Sequence, residues 1–468
     1  MSFRQSATTR NLMSEEKENI QFELTDALIE QVELLIETKN DKELKKLLDE
    51  FHYADIAEIL DELNLEEAIY VIKLLDSETT SDVLMELDED IREKVLKNLS
   101  DKEIAEEIEE LDTDDAADII AELPEERQQV VISQIEDQEH KAEIEELLAY
   151  DEDSAGGLMA KELVKVYETW TVAGCLRRIR GQAKEVTRVH SIYVVDKQDK
   201  LVGRLSLKDL IVAKSEQKIA DISNSSVDWV HVNDDVEDVA KIMAKYDLEA
   251  IPVVDDNKTL LGRITIDDIV DVLKEEADKD YQLAAGITQD VDSDDSILDL
   301  TKARLPWLFL GLVGGVGAFL IMEGFQEAFN KYAVLFFFTP LIAAMAGNVG
   351  VQSSAIIVQG LANDDVKGSV NSRLIKEMLL AALNGLILAA FLFLFVWASK
   401  GEMNTAFAIS ISLVAVIIVA GLIGTFVPLF LDKRGIDPAI ATGPFITTSN
   451  DIFGILIYFW IAKLILGI

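Results

Sequence analysis

Beyond Arg304 the chain contains five apolar stretches, at about 305–328, 332–361, 370–399, 405–431 and 438–467. Each meets or exceeds the roughly 20 residues with which an α-helix crosses a bilayer. Hydrocarbon offers no partner to a bare peptide group, so such segments fold as helices whose amides are satisfied internally. Five spanning helices are therefore expected. Lys302, Arg304, Lys367, Arg373, Lys376, Lys433 and Arg434 flank them on one side, Lys331 and Lys400 on the other. Basic residues concentrate on the cytosolic side, which places residues 1–303 inside the cell membrane and the carboxyl terminus outside.

Charge is divided as sharply as hydropathy. The formal net charge is −43, yet from Arg304 onward nine Lys or Arg balance nine Asp or Glu. Residues 1–303 hold the whole excess, 77 acidic against 34 basic side chains. Such a surface repels nucleic acid and anionic lipid, which excludes a nucleic-acid partner, and its self-repulsion opposes compaction unless cations, divalent ones above all, offset it. Residues 1–23 are polar and lack the apolar core of a signal peptide; they are expected to be a disordered cytosolic amino terminus. The one cysteine, Cys175, allows no internal disulfide and fits a reducing compartment.

Two spans carry residues that hydrocarbon does not favour. The second contains Pro340 and then Ala346-Gly347-Asn348-Val349-Gly350-Val351-Gln352-Ser353-Ser354, with Asn348 and Gln352 four apart on one helical face. Small residues let backbones approach and polar side chains join helices, so this cluster reads equally as packing glue. The fifth contains Gly443-Pro444-Phe445-Ile446-Thr447-Thr448-Ser449-Asn450-Asp451, and Asp451 is the one acid in the interiors of the fourth and fifth spans. A carboxylate at mid-bilayer costs about 2.5–3.5 kcal/mol on insertion scales, so it should face water, an ion or a partner. Thr447 stacks one turn before it, and Pro444 within a helix would free the Ile440 carbonyl. The donors are all oxygen, the set for a hard cation, and the membrane half has no His or Cys for a softer metal.

The acidic half opens on a repeat of twelve: Leu63, Leu75, Leu87, Leu99, Leu111, Leu123, Ile135 and Leu147 share one phase. Asn64, Asp76, Asp88, Ser100 and Asp112 follow these leucines as helix starters, with capping boxes expected to Glu67 and Glu103, and Pro124 marks a further start. Short helices stacked as a superhelical array over 24–150 are expected. A duplicated plan follows. Ile192-Tyr193-Val194-Val195-Asp196 and Leu201–Asp209 match Ile251-Pro252-Val253-Val254-Asp255 and Leu261–Asp268 as strand, turn, strand and a hydroxyl-capped helix. This duplication resembles the tandem CBS-domain pair, a regulatory α/β module that often holds adenine nucleotides, over 151–216 and 217–273. Residues 274–303 then read as a connecting segment, a charged helix and the loop Asp290–Asp295 followed by a short amphipathic helix ending at Arg304.

In this order the parts resemble the MgtE family of magnesium transporters over nearly the whole chain. The family's junction motif stands as Asp153-Ser154-Ala155-Gly156-Gly157-Leu158-Met159, its second-span motif as Gly347–Ser353 and its fifth-span aspartate as Asp451. The resemblance implies an all-α superhelical domain, a CBS pair and a five-helix membrane domain at 304–468. It also implies a homodimer with the pore on its two-fold axis, passing largely hydrated magnesium. For the pore it implies Asp451, Thr447, Asn348, Gly347, Gln352 and Glu377. For sensing it implies Asp114 and Asp118 in the helical domain, Asp235, Glu237, Ala244 and Asp247 in the second CBS repeat, and Asp268, Asp271, Glu276 and Asp280 on the connecting helix. Magnesium shared among these acids would draw the domains together and close the pore. ATP at Ser206, Asp209 and Thr265 is the further implied ligand. The chain departs from the pattern at Lys279, Ala344 and Val351, and at Ser191 and Leu248, which replace aromatic residues able to stack adenine in relatives.

A gated magnesium channel is thus the leading expectation. An ion-coupled carrier of another divalent cation such as manganese or cobalt stands beside it, and a membrane-tethered sensor without transport is a third reading. An enzyme is disfavoured, since no nucleophile with a base and no phosphate-cradling loop is found in the sequence.

Overall fold

The computed structural model describes residues 22–183, 186, 188–289, 291, 295–363, 366, 369–441 and 443–467. The segment expected to be disordered falls almost wholly outside the described residues, as does most of the Asp290–Asp295 loop. The chain divides into two units, Met1–Leu273 and Lys274–Ile468.

Ten short helices open the first unit: α1 (Asp26–Glu37), α2 (Asp41–Leu48), α3 (Tyr53–Asp61), α4 (Leu65–Ile72), α5 (Ser77–Glu86), α6 (Glu89–Asn98), α7 (Asp101–Ile108), α8 (Thr113–Ala121), α9 (Glu125–Gln134) and α10 (Gln138–Leu147). From α4 onward their starts follow the twelve-residue period. Asn64 and Ser100 close the two expected capping boxes, with Glu67 and Glu103 reaching back to the cap amides. From α3 onward each helix packs on a second neighbour, so α3, α5, α7 and α9 form one layer, while α4 packs on α6 and α8 on α10. Ion pairs cross between helices thirty residues apart in sequence, Lys73 with Glu103 at 3.0 Å and Arg92 with Glu122. The phased leucines Leu63, Leu87, Leu99, Leu111, Leu123, Ile135 and Leu147 are buried in one continuous core.

Two three-stranded sheets follow. In the first, β1 (Val164–Tyr167) pairs parallel to β2 (Ile192–Val195), which pairs antiparallel to β3 (Leu201–Leu205). The second repeats the order with β4 (Val230–His231), β5 (Ala250–Val254) and β6 (Leu260–Thr265). Helices α11 (Val172–Gln182), α12 (Leu207–Val212) and α13 (Ile219–Ile222) accompany the first sheet, and α14 (Val236–Tyr246) the second. Bridges between Lys200 and Thr259 and between Ala160 and Arg263 tie the second repeat to the first and to the junction motif. In that motif the bare faces of Gly156 and Gly157 are occupied by the Tyr150 ring and the Asp151 carbonyl, which leave no room for a side chain. Helix α15 (Ile266–Ala285) leaves β6 directly and continues past the division between the units.

The second unit holds five helices long and apolar enough to cross a membrane: α16 (Ile297–Gly324), α18 (Val334–Ala362), α19 (Val370–Lys400), α20 (Met403–Asp432) and α21 (Gly443–Leu466). A short α17 (Gln326–Lys331) joins the first two. Helix α20 is central, packing on α18, α19 and α21, whereas α16 packs chiefly on α21. Two expectations are corrected here. The amphipathic helix expected to end at Arg304 is continuous with the first span, because Ser296 caps a single helix that carries Pro306 within it. Pro444 stands second in α21, after a separate 3-10 turn over Pro438–Ala441, so it starts that helix rather than interrupting it and frees no carbonyl at Ile440.

Ile108 in α7 is fully buried. Ile108→Ala should lower the opening free energy of residues 77–147 by about 2–5 kcal/mol, read by native-state hydrogen exchange, whereas the exposed Val130→Ala should change it by less than about 0.5 kcal/mol.

Candidate metal centre

Helix α8 begins with Thr113-Asp114-Asp115 and lies against the chain leading into β1. Thr113 donates to Glu162 Oε2 from its backbone N (3.3 Å) and its Oγ1 (2.9 Å), and the Lys161 amide donates to Thr113 Oγ1 at 2.9 Å. Arg263 of β6 donates from Nε to the Glu162 carbonyl at 2.6 Å and holds Nη2 3.7 Å from Asp112 Oδ2. Asp112 stands at a helix start but makes no cap bond. The result is a group of three acids, Asp112, Asp114 and Glu162, whose nearest carboxylate oxygens all lie within 4.8 Å of one another. Opposite ligands of an octahedral ion with 2.1 Å bonds stand about 4.2 Å apart, so a small hard cation spans this group with slight adjustment. Asp114 Oδ1 is buried and accepts no hydrogen bond among the described residues.

The carboxyl groups disturb one another. Burial, then the charges of Asp115 and Asp268, push the Asp114 pKa well above the ordinary carboxylate range. Burial and the neighbouring Glu162 raise Asp112 to about 6, and burial with Asp268 raises Asp115 to about 7. Asp118, at the outer rim, is raised to about 7 by partial desolvation and by Glu152. Desolvation also raises Asp268, although its Oδ2 accepts bonds from the Thr265 amide (2.9 Å) and hydroxyl (2.8 Å).

Asp114, Asp118 and Asp268 are thus brought within electrostatic reach of one another. The other sensing candidates are spread out. Asp235 caps α14, Glu237 pairs with Lys241 at 3.2 Å, Ala244 is exposed, and Asp247 ends that helix in the left-handed region. On α15, Asp271 and Asp280 are exposed and Glu276 pairs with Lys279 at 3.0 Å. The nucleotide candidates form matching turns, Ser206 donating to Asp209 Oδ2 at 2.7 Å as Thr265 does to Asp268. A cavity of about 10 Å³ in the same unit, lined by Arg188, His190, Ser191, Tyr193 and Arg263, has room for about one water.

In the membrane unit Gly347 of α18 packs against Thr447 of α21, whose methyl stands 3.2 Å from where a glycine side chain would begin. Thr447 Oγ1 donates to the Gly443 carbonyl at 2.9 Å. Asp451, one turn on, is half-buried and makes no ion pair or hydrogen bond with the described residues. Asn348 and Gln352 lie exposed on the outer face of α18. Glu377 is placed elsewhere, accepting from Ser353 Oγ at 2.6 Å and abutting Gly421 of α20. The start of α21 touches the end of α15: Gly443 (φ +50°) lies on the Ala284 carbonyl, and Gly286 (φ +85°) on the Pro444 ring.

Residues 339–461 match the MgtE divalent cation transporter family, residues 51–153 the MgtE intracellular N domain, and residues 155–216 and 219–275 the CBS domain. The magnesium transporter MgtE of Enterococcus faecalis is 38% identical over 318 residues, 68% of this chain and 70% of that one. The magnesium transporter MgtE of Thermus thermophilus is 38% identical over 320 residues, 68% of this chain and 71% of its own. The chain belongs to the MgtE family. It is a multi-pass membrane transporter rather than an enzyme. Among solved structures, the cytosolic domain of the Mg2+ channel MgtE in complex with ATP is similar at 36% identity and TM-score 0.50, covering 52% of this chain and 99% of that one.

Within this MgtE chain, sequence reasoning missed Asp112, Asp115, Glu162 and Arg263. Asp112 was legible only as a cap, although its place in the run Asp112-Thr113-Asp114-Asp115 signals a charge cluster. Glu162 and Arg263 lie 49 and 101 residues from their partners and carry no local signal.

The raised pKa values set a pH dependence. Between about pH 4 and pH 7 the folded state binds more protons at Asp112 and Asp115 than the unfolded state, so these groups make stability fall as pH rises through that window. In EDTA the first unit should therefore resist urea better at pH 5.5 than at pH 7.5, and Asp115→Asn should reduce the difference. Equal resistance at both pH values in the parent protein would contradict the assignment.

Proposed function

We propose that this chain is a magnesium-permeable channel, closed when cytosolic magnesium occupies the acidic surfaces of its first unit. The observation that carries the reading is Asp451, a partnerless half-buried carboxylate in a membrane helix, beside the Gly347–Thr447 contact. Its relatives are named magnesium transporters, and magnesium, which sheds water reluctantly, suits a site of one carboxylate with hydroxyl and amide oxygens. Asp451, Thr447, Gly347, Asn348 and Gln352 are the pore set. Glu377 is left out of it, because its carboxylate is directed to Ser353 and Gly421.

Polar Asn348 and Gln352 exposed at mid-span need a cover other than lipid, and a second copy of the chain supplies one. Exposed Leu207, Ile211 and Val212 on α12 and Val270 and Leu273 on α15 argue the same way for the cytosolic unit. We assign a homodimer with residues 1–303 in the cytosol, and domains at 24–150, 151–216, 217–273, 274–303 and 304–468. Sensing rests on Asp114, Asp118 and Asp268, joined by Asp112 and Glu162, with Asp235, Glu237, Ala244, Asp247, Asp271, Glu276 and Asp280 as outer sites. The contact of Ala284 with Gly443 gives the connecting helix a direct hold on the helix bearing Asp451. A relative's cytosolic domain was solved with ATP, which supports a nucleotide at Ser206, Asp209 and Thr265.

Asp451→Asn keeps the side chain's shape but removes its charge; magnesium flux into liposomes should collapse while insertion and folding persist. Undiminished flux would sink the pore assignment, and preferred manganese or cobalt flux coupled to a sodium or proton gradient would favour the carrier reading. For the sensor, magnesium chloride should protect the cytosolic unit from protease cooperatively, whereas potassium chloride of equal ionic strength should not.

A further inference from the structure

Buried polar atoms without hydrogen bonds are rare in proteins and costly in hydrocarbon. Among the described residues of the membrane unit, Ser354 Oγ, Thr425 Oγ1 and both polar atoms of Asn450 are in that state. Ser354, Thr425 and Asn450 are each no more than 1% exposed. Ser354 stands on α18, Thr425 on α20 and Asn450 on α21, three helices that pack on one another along a common seam.

Glycines open this seam. The place of a side chain on Gly424 of α20 is filled by the Gly350 carbonyl of α18, and that on Gly350 by the Asn450 amide of α21. One helical turn away along the same two helices stand Gly421 and Ser353, and there Glu377 of α19 enters. Three residues of helix rise about 4.5 Å, so the amide of Asn450 and the carboxylate of Glu377 meet adjacent turns of one seam. Glu377 is about two turns inside its helix, accepts only the Ser353 hydroxyl, and has no ion pair among the described residues.

We infer that Glu377, Ser353 and Asn450, with the hydroxyls of Ser354 and Thr425, form a monovalent metal-cation site within each protomer, separate from the pore. The donors are a carboxylate, an amide oxygen and hydroxyls, the ligand chemistry of a hard ion and of coupling-ion sites in membrane helices. Charge selects the valence. One carboxylate cancels one positive charge, whereas a divalent ion would leave an uncompensated charge in a medium that penalises it. The inference does not depend on the role given to Asp451.

The test uses purified full-length protein in nanodiscs with EDTA, following the thermal midpoint as choline chloride is replaced by sodium or potassium chloride at constant ionic strength. A ligand that binds only the folded state raises the midpoint with its concentration. One of the two alkali ions should raise it saturably in the parent and in Asp451→Asn, with the shift lost in Glu377→Gln and reduced in Asn450→Ser. Should Glu377→Gln fail to fold, Ser353→Ala serves, and a shift in the half-saturating concentration of threefold or more is expected. No alkali-specific rise in the parent, or the same rise in the Glu377 or Ser353 variant, overturns the site. A midpoint that follows pH but neither alkali ion assigns a proton to Glu377 and overturns it equally.

Discussion

Mutual repulsion among closely held carboxylates is the interaction on which the first unit turns. At 4.8 Å, and at the effective dielectric near 20 that suits partly buried charges, each such pair is worth roughly 3 kcal/mol. Asp112, Asp114 and Glu162 make three pairs, with Asp115 and Asp268 close enough to add to them. The protein meets part of this with its own groups: Arg263 faces Asp112, and the Thr113 amide and hydroxyl face Glu162. What remains is relieved by protons or by a cation. The helical array and the CBS pair therefore share a surface whose stability depends on the protons and cations of the solution.

The membrane unit answers a related constraint by different means. There the charged groups are few, and packing brings polar groups together by deleting side chains opposite them. Tyr458, fully buried, donates to the Leu335 carbonyl at 3.0 Å, and Ser412 donates to the Ala408 carbonyl at 2.8 Å. Such bonds satisfy polar groups within the packed helices. Asp451 and Asn450 are not satisfied in this way among the described residues.

Much of the fold was legible because its signals are local. The twelve-residue leucine phase and the starters Asn64 and Ser100 specify helices through contacts within a turn or two, and the duplicated strand plan specifies its sheets likewise. Span lengths follow from hydropathy. The boundary at Arg304 was misread because a charge looks like an end, whereas Ser296 caps one helix that carries Arg304 and Pro306 through it. Candidate residues were legible where chemistry singles them out, as with Asp451, the one acid in the interiors of the fourth and fifth spans. Glu162, Arg263 and the Ser353–Glu377 bond were not, since each acquires meaning only from a partner brought across the fold.

The layering of the helical array also restricts how such a chain can change length. From α3 onward each helix rests on a second neighbour, and ion pairs such as Arg92 with Glu122 hold that spacing. An insertion of one twelve-residue repeat between α8 and α9 would put α9 and α10 into the opposite layers and carry Asp114 away from Glu162. Two repeats, roughly 24 residues, would restore the parity. Descendants of this architecture should therefore lengthen or shorten by paired repeats, a step size written into the stacking itself.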